Sequence, residues 1–137
     1  MYTFAETITP TMKKVIETSF APAPIGPYSQ AITFNGITFV SGQVALDPNS
    51  GEMKNSSLEE ETITVLENVR SVLAEAGLTM NDVVKSSIFL KDMNDFATVN
   101  KIYGEQFSGM FPARETVEVS RLPKDARVEI SVIAVSS

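Results

Sequence analysis

Three residue types with distinctive chemistry are missing from this chain, which contains no cysteine, no histidine and no tryptophan. Without cysteine there is no disulfide, no thiolate metal ligand and no cysteine nucleophile. Without histidine there is no imidazole ligand and no imidazole general base. We therefore expect neither a metal nor a cofactor, and any catalysis must come from hydroxyls, carboxylates, lysine or arginine.

Positive charge is scarce, and no hydrophobic run is long. Lysine and arginine number 11 against 17 aspartates and glutamates, which gives a net charge of −6. Binding to nucleic acid depends on clustered positive charge and is not expected here. No apolar run approaches the roughly 20 residues that span a bilayer, and the first residues do not resemble an export signal. We expect a cytoplasmic protein without membrane or nucleic-acid partners.

The remaining composition fits one compact domain, since 43% of the 137 residues are hydrophobic and 20% are charged. Residues 1–11 have no clear periodicity, whereas Met12 precedes a plausible strand. We expect 1–11 to be an extension or a cloning remnant and 12–137 to be the single domain. The alternative is that 1–11 form an ordered N-terminal strand.

Local patterns predict the order of strands and helices. Residues 13–18 can form a strand, "APAPIGPY" must be a rigid loop, and Asn35-Gly36 between two apolar segments predicts a hairpin. Ser57, with Glu60 three residues later, predicts the start of a helix that ends at Gly77.

A second helix is predicted from about residue 94 to residue 107, because apolar residues recur there at spacings of three and four. These residues are Phe96, Val99, Tyr103 and Phe107. The full predicted order is strand, strand, strand, helix, strand, helix, strand, strand. It indicates an α+β sandwich whose two helices cover one face of a mixed sheet and leave the other face bare.

Residues 111–135 predict two strands joined by a short turn, each with one polar side. The polar side contains Arg114, Thr116, Glu118 and Ser120 in the first strand and Arg127, Glu129 and Ser131 in the second. One interpretation is a solvated sheet surface. The other is a binding site, because Pro112 stiffens the backbone before Arg114, and a guanidinium presents a planar fork of donors that suits a carboxylate.

Several motifs, in order over residues 12–137, resemble the RidA/YjgF family of reactive-intermediate (enamine/imine) deaminases. They are "APAPIGPYSQA", "FVSGQVALDP", "FLKDMNDFATVN", "FPAR" and "VEVSRLPKDARVEISVIAV". The resemblance implies a chorismate-mutase-like fold and a homotrimer with clefts between neighbouring subunits. The bare face of the sheet would then be covered by neighbours instead of water.

The resemblance also implies an activity, the hydrolysis of 2-imino acids or 2-aminoacrylate enamines to 2-keto acids and ammonia. Such an enzyme would be a 2-iminobutanoate/2-iminopropanoate deaminase. Little acid or base strength is needed, because an imine is already an activated electrophile, so positioning can supply much of the acceleration. The alternatives are a regulatory trimer that binds a carboxylate metabolite without turnover and, least favoured by the acidic charge, a nuclease.

Matching motif to motif, the resemblance implies that Arg114 binds the substrate carboxylate and that Glu129 orients or deprotonates the attacking water. The remaining substrate-binding candidates are Tyr28, Ser41, Gly42, Asn100 and Thr116. Thr116 replaces a frequent cysteine, and Glu115 replaces a small residue. The structural alternatives are an interface ion pair for Arg114 and an ion pair of Glu129 with Arg114 or Arg127. For Asn100 the alternative is a hydrogen bond to a neighbouring backbone group, for Tyr28 a packed loop anchor, and for Ser41 and Gly42 a turn at the end of a strand.

Overall fold

The computed structural model describes residues 12–137, so the prediction for residues 1–11 lies outside the described part. The strands are β1 (Lys14–Ile16), β2 (Ala31–Phe34), β3 (Ile37–Gln43), β4 (Val83–Leu90), β5 (Ala113–Glu118) and β6 (Val128–Val135). The helices are α1 (Leu58–Glu75), between β3 and β4, and α2 (Phe96–Gly104), between β4 and β5. The predicted order of strands and helices is confirmed.

Local chemistry explains the turns and helix ends. Asn35 and Gly36 have φ angles of 51° and 76°, the left-handed pair that a tight hairpin between β2 and β3 requires. The Ser57 hydroxyl accepts a hydrogen bond from the backbone N–H of Glu60 at 3.0 Å and so caps α1. The Glu60 carboxylate reaches back to Ser56 and not to Ser57, so the reciprocal half of a Ser57–Glu60 capping box is shifted by one residue.

The six strands form one sheet in the order β1-β2-β3-β6-β4-β5. The predicted hairpin over residues 111–135 is wrong, because β4 lies between β5 and β6, parallel to the first and antiparallel to the second. The connecting loop crosses the end of β4 and is tied to it on both sides. Val119 N–H donates to the Leu90 carbonyl, and Lys91 N–H donates to the Arg127 carbonyl.

The two faces of the sheet have different surroundings. One packs under both helices, and it includes the buried β6 side chains Val128, Ile130, Val132 and Ala134. The opposite face has no helix over it in residues 12–137, and it exposes the apolar side chains Val15, Phe34, Ile37, Phe39 and Val117. The predicted arrangement, with both helices on one face, is confirmed.

An ion pair joins α1 to the start of β6. The carboxylate of Glu61 is fully buried, and it accepts hydrogen bonds from Arg127 Nε and from the Arg127 backbone N–H, both at 2.7 Å. Arg127 Nη2 also donates to the Asn55 carbonyl at 2.9 Å. Arg127 is therefore a structural residue in this fold.

Replacing Arg127 with methionine should lower the free energy of unfolding by about 2–3 kcal/mol, because it leaves a buried carboxylate without its counter-charge. Urea denaturation checks this value. Arg121→Met is the matched control, since the Arg121–Asp125 pair is exposed and should contribute about 0–0.5 kcal/mol. The double variant Glu61→Leu, Arg127→Met should recover most of the loss, and failure to recover it would show that the charge is not the cause.

Within residues 12–137, no helix combines the length and the apolar character that crossing a membrane requires.

Candidate active site

Arg114 lies on β5 directly opposite Ser86 of β4, and Ser86 is fully buried on the helix-covered face. Its side chain therefore extends beneath α2. Arg114 Nη1 donates to Asn100 Oδ1 at 2.7 Å. The guanidinium carbon is 5.6 Å from the centre of the Phe96 ring and 5.1 Å from that of Tyr103. A hydrogen bond and two cation–π contacts thus fix the guanidinium.

The guanidinium opens into a cleft of about 460 Å³, called here the Arg114 cleft. Its lining residues are Asn100, Tyr103, Gly104, Phe111, Pro112 and Arg114. An arginine has five N–H donors, and the bond to Asn100 occupies one of them. The others can bind a planar anion such as a carboxylate in bidentate fashion.

Thr116 lies on the same face as Arg114, two residues along β5. Its hydroxyl oxygen is buried and has no hydrogen-bond partner in the part of the chain described, and a buried polar atom of this kind is uncommon. Glu118, the next residue on this face, accepts a hydrogen bond from the Met93 backbone N–H at 2.7 Å. Thr116 therefore keeps a free hydroxyl beside Arg114, whereas Glu118 holds a turn.

Tyr28 and Ser41 line a second cleft of about 410 Å³, called here the Tyr28 cleft. The Ser41 hydroxyl donates to the Ser29 carbonyl at 2.6 Å, so it fastens this loop to β3. The Tyr28 hydroxyl accepts a hydrogen bond from the Ile25 backbone N–H at 3.3 Å, and the side chain is about half exposed. Ile32 and Phe39, from the bare face, form part of the wall.

Gln30 keeps the loop before it in place. Its side chain is buried, and its Nε2 donates to the carbonyls of Thr18, Ala21 and Pro22 at 3.1, 3.2 and 2.8 Å. Its Oε1 accepts from the Thr18 backbone N–H at 2.7 Å. One side-chain amide thus contacts four backbone groups of a segment whose prolines prevent regular structure, with its two N–H donors shared among three carbonyls, and it ties this loop to the sheet.

Glu129 lies on the bare face of β6, opposite Phe89 of β4. Gly42 is packed against it, since a Cβ at residue 42 would come within 2.5 Å of Glu129 Oε2. Gly42 and Tyr28 also share a small cavity of about 30 Å³. Tyr28, Ser41, Gly42 and Glu129 therefore belong to one region of the molecule.

The two groups of predicted site residues lie on opposite faces of the sheet. Ser86 is the register partner of both Arg114 and Val132, so Arg114 shares the covered face with Val132 and not with Glu129. The expectation that Arg114 and Glu129 share a face is wrong within one chain. An ion pair between Glu129 and either arginine is also absent from the described residues, where Arg127 pairs with Glu61.

Glu115 faces away from the Arg114 cleft, as alternation along β5 predicts. Its carboxylate accepts a hydrogen bond from the Ser87 hydroxyl and lies 2.9 Å from Lys85 Nζ. The Ser87 hydrogen bond, and then Lys85, lower the pKa of Glu115. Glu115 therefore joins the edge strand to β4 on the bare face.

Sequence reasoning missed the aromatic residues around Arg114. Phe96 and Tyr103 were predicted only as part of an apolar stripe, but they contact the guanidinium, and Phe111 forms a wall of its cleft. The position of Asn100 in the middle of that stripe could have identified them. Residues four before and three after Asn100 share its helix face, and a polar residue among aromatics indicates a polar partner beneath.

Burial raises the pKa of the Glu129 carboxyl above its ordinary value of 4.5. Because the folded chain then holds this proton more tightly than the unfolded chain, the free energy of unfolding should fall as pH rises from about 4.5 through the raised pKa. Glu129→Gln should remove that part of the pH dependence. Urea denaturation of both proteins from pH 4 to pH 7 measures it, and parallel pH profiles would contradict the prediction.

Among residues 12–137, no group of three or more potential ligand side chains is arranged to hold a metal ion.

Comparison with known proteins places these features in a family. The family model described as "Endoribonuclease L-PSP" matches residues 18–136. The chain is 48% identical to the 2-iminobutanoate/2-iminopropanoate deaminase of Mus musculus over 90% of this chain and 92% of that protein.

Two solved structures have the same fold. The Rid family protein YyfA from Yersinia pestis has a TM-score of 0.89 and 51% identity, covering 91% of this chain and 100% of its own. Escherichia coli TdcF, solved with bound serine, has a TM-score of 0.87 and 41% identity, covering 90% and 99%. The predicted α+β fold is confirmed.

Proposed function

The chain belongs to the endoribonuclease L-PSP family, which includes the RidA, YjgF and RutC proteins, and on that premise we propose that it hydrolyses 2-imino acids to 2-keto acids and ammonia. Similarity to a mouse protein named for this activity supports the reaction type. A relative named as a reactive intermediate deaminase, TdcF of Escherichia coli, is 42% identical over 92% of this chain and supports it as well. The preferred imines in this proposal are small, 2-iminopropanoate and 2-iminobutanoate.

The observation that supports this function best is the fixed guanidinium of Arg114. It contacts two aromatic rings, is hydrogen-bonded to Asn100 and lines a cleft. A 2-imino acid has a carboxylate next to its reactive carbon. Binding that carboxylate at a fixed point places the C=N carbon at a fixed distance from the arginine, which positioning catalysis requires.

The proposal includes a homotrimer, since one chain does not bring its two groups of site residues together. The bare face of the sheet exposes apolar side chains, and burying them against a neighbouring copy would be favourable. In such an assembly, the Arg114 cleft of one copy can meet Tyr28, Ser41, Gly42 and Glu129 of the next. Each complete site then lies between two subunits.

The chemistry follows from the groups present. Arg114 binds the carboxylate, and water adds to the imine carbon while the nitrogen takes up a proton. The Glu129 carboxylate, whose pKa is raised by burial, accepts a proton from that water. Glu129 returns this proton to the nitrogen of the carbinolamine. The carboxylate then takes the hydroxyl proton as the C=O bond forms and ammonia leaves, which gives the 2-keto acid, and it finally releases that proton to solvent. The Thr116 hydroxyl and the Asn100 amide are donors that can hold the carboxylate or the water.

The alternative function is the binding of a carboxylate metabolite without turnover. The serine bound to TdcF favours it, because serine has a carboxylate but is not an imine. The two functions share Arg114 and differ only in whether product forms.

The deciding experiment uses imines generated in situ from an amino acid and measures keto acid formation against buffer. An acceleration that disappears in Arg114→Ala supports the proposed function. Arg114-dependent binding of 2-keto acids without any acceleration supports the alternative. RNA cleavage that persists in Arg114→Ala through repeated purification would support a nuclease instead.

A further inference from the structure

Ser86 is a polar residue in an otherwise apolar part of the core. It is fully buried on β4, where the next residues on the same face are Ile88 and Leu90. Its hydroxyl oxygen accepts a hydrogen bond from the Tyr103 hydroxyl at 2.9 Å. Alanine in place of Ser86 and phenylalanine in place of Tyr103 would occupy similar space without burying a polar group. Replacing both partners of a hydrogen bond in this way can be nearly neutral for stability. Packing alone therefore does not require this pair.

The ring that this hydrogen bond holds lies against Arg114. The Tyr103 ring centre is 5.1 Å from the guanidinium carbon, and Arg114 is the register partner of Ser86 on the next strand. Phe107 packs on Tyr103 at 4.9 Å between ring centres. Ser86, Tyr103 and Arg114 thus form a continuous set of contacts from the buried strand to the cleft.

The Tyr103 hydroxyl remains the donor in this arrangement. Burial raises the pKa of Tyr103 above its ordinary value of 10.0, although the Ser86 hydrogen bond and the Arg114 charge oppose that rise. The phenol is therefore neutral under ordinary assay conditions. Its O–H therefore donates a hydrogen bond to Ser86, and the electron-rich face of the ring remains available to the guanidinium.

We propose that Tyr103, oriented through its hydroxyl by Ser86, is a positioning residue that sets the direction of the Arg114 fork in the cleft. This inference rests on the proposed function, since it concerns how the same arginine meets a substrate carboxylate. Asn100 restrains one nitrogen of the guanidinium, and the Tyr103 ring restrains its plane. Bidentate binding depends on that plane, because both N–H···O bonds must lie in it.

The test compares Tyr103→Phe, Ser86→Ala and the double variant, by measuring Kd for 2-ketobutyrate and kcat/KM for the imine. Each single change should raise Kd about three- to tenfold, the loss expected for one hydrogen bond that orients the site. The double variant should bind no more weakly than the weaker single variant, since both changes remove the same bond. Affinity for the neutral amide of the keto acid should not change.

Thr62→Val is the matched control, because Thr62 is also fully buried and its hydroxyl donates to the Leu58 carbonyl at 2.8 Å. It should lose stability without changing Kd. The proposal would be overturned if Tyr103→Phe bound 2-ketobutyrate with wild-type affinity. If Ser86→Ala does not fold, the result for Tyr103→Phe alone decides the test. If Arg114→Ala bound 2-ketobutyrate as tightly as the wild type, the carboxylate site of the proposed function would be refuted. That outcome differs from failure of the Tyr103 proposal, in which binding still requires Arg114.

Discussion

Arg114→Ala is expected to reduce kcat/KM for imine hydrolysis by about 1,000-fold, because it removes two charge-assisted hydrogen bonds to the substrate carboxylate, each contributing about 1.5–3 kcal/mol. The loss should appear in both KM and kcat, since the same contact binds the substrate and places its reactive carbon. Steady-state kinetics with in situ imines, together with the Kd for 2-ketobutyrate, measure both parts. A variant that retained wild-type kcat/KM would remove the basis of the proposed function.

Arg114→Lys sharpens this test. Lysine keeps the positive charge, but it cannot present a planar fork, and it cannot contact the Phe96 and Tyr103 rings with a flat delocalised group. We expect it to recover only a small part of the activity. Arg121→Ala is the control for loss of an arginine, because Arg121 is exposed and, within residues 12–137, pairs with Asp125 alone. It should leave both Kd and kcat unchanged.

Glu129→Gln is expected to reduce kcat by about 100-fold or more, the range found when a positioned base is removed, with a smaller effect on substrate affinity. Glutamine has nearly the same size and should still fit beside Gly42. The residual rate should lose the rise with pH that titration of Glu129 gives the wild type, which occurs above pH 4.5 because burial raises the pKa of this carboxyl. An unchanged pH profile of kcat would assign the base to another group.

Mixing the two impaired variants, Arg114→Ala and Glu129→Gln, tests whether the site lies between copies. In random assemblies made from equal amounts of Arg114→Ala and Glu129→Gln chains, half of the sites receive an intact arginine from one copy. Half of those receive an intact glutamate from the neighbouring copy, so about a quarter of the sites are complete. Activity should therefore return on co-refolding, toward a quarter of the wild-type value. Activity that stays at the level of the separate variants would contradict a site shared in this way.

The sequence contains enough local information for the order of strands and helices. Asn35-Gly36 requires a turn, Ser57 caps a helix, and the period of α2 is visible in its apolar residues. It contains no comparable pattern for the pairing of β5 with β4. That parallel pairing joins segments far apart in the chain, and the residues between β5 and β6 look like a hairpin turn until β4 is placed between them.

The same limit applies to the candidate site. Motif resemblance identified Arg114 and Asn100, and the structure places them in contact. Alternation along each strand was correct for Glu115, which faces away from the cleft. It could not relate the faces of two strands to one another, because that depends on register across β4. The opposite placement of Arg114 and Glu129 was therefore beyond sequence reasoning.

Because β4 separates Arg114 from Glu129 within one chain, activity should depend on the concentration of the protein. If each site needs two copies, an isolated chain has no activity at all, and dilution below the dissociation constant of the assembly removes the sites themselves and does not merely slow them. Catalysis would then begin only above a threshold concentration of the protein. Near that threshold, a small change in the amount of protein made would change total activity steeply. Well above it, total activity would be proportional to the amount of protein.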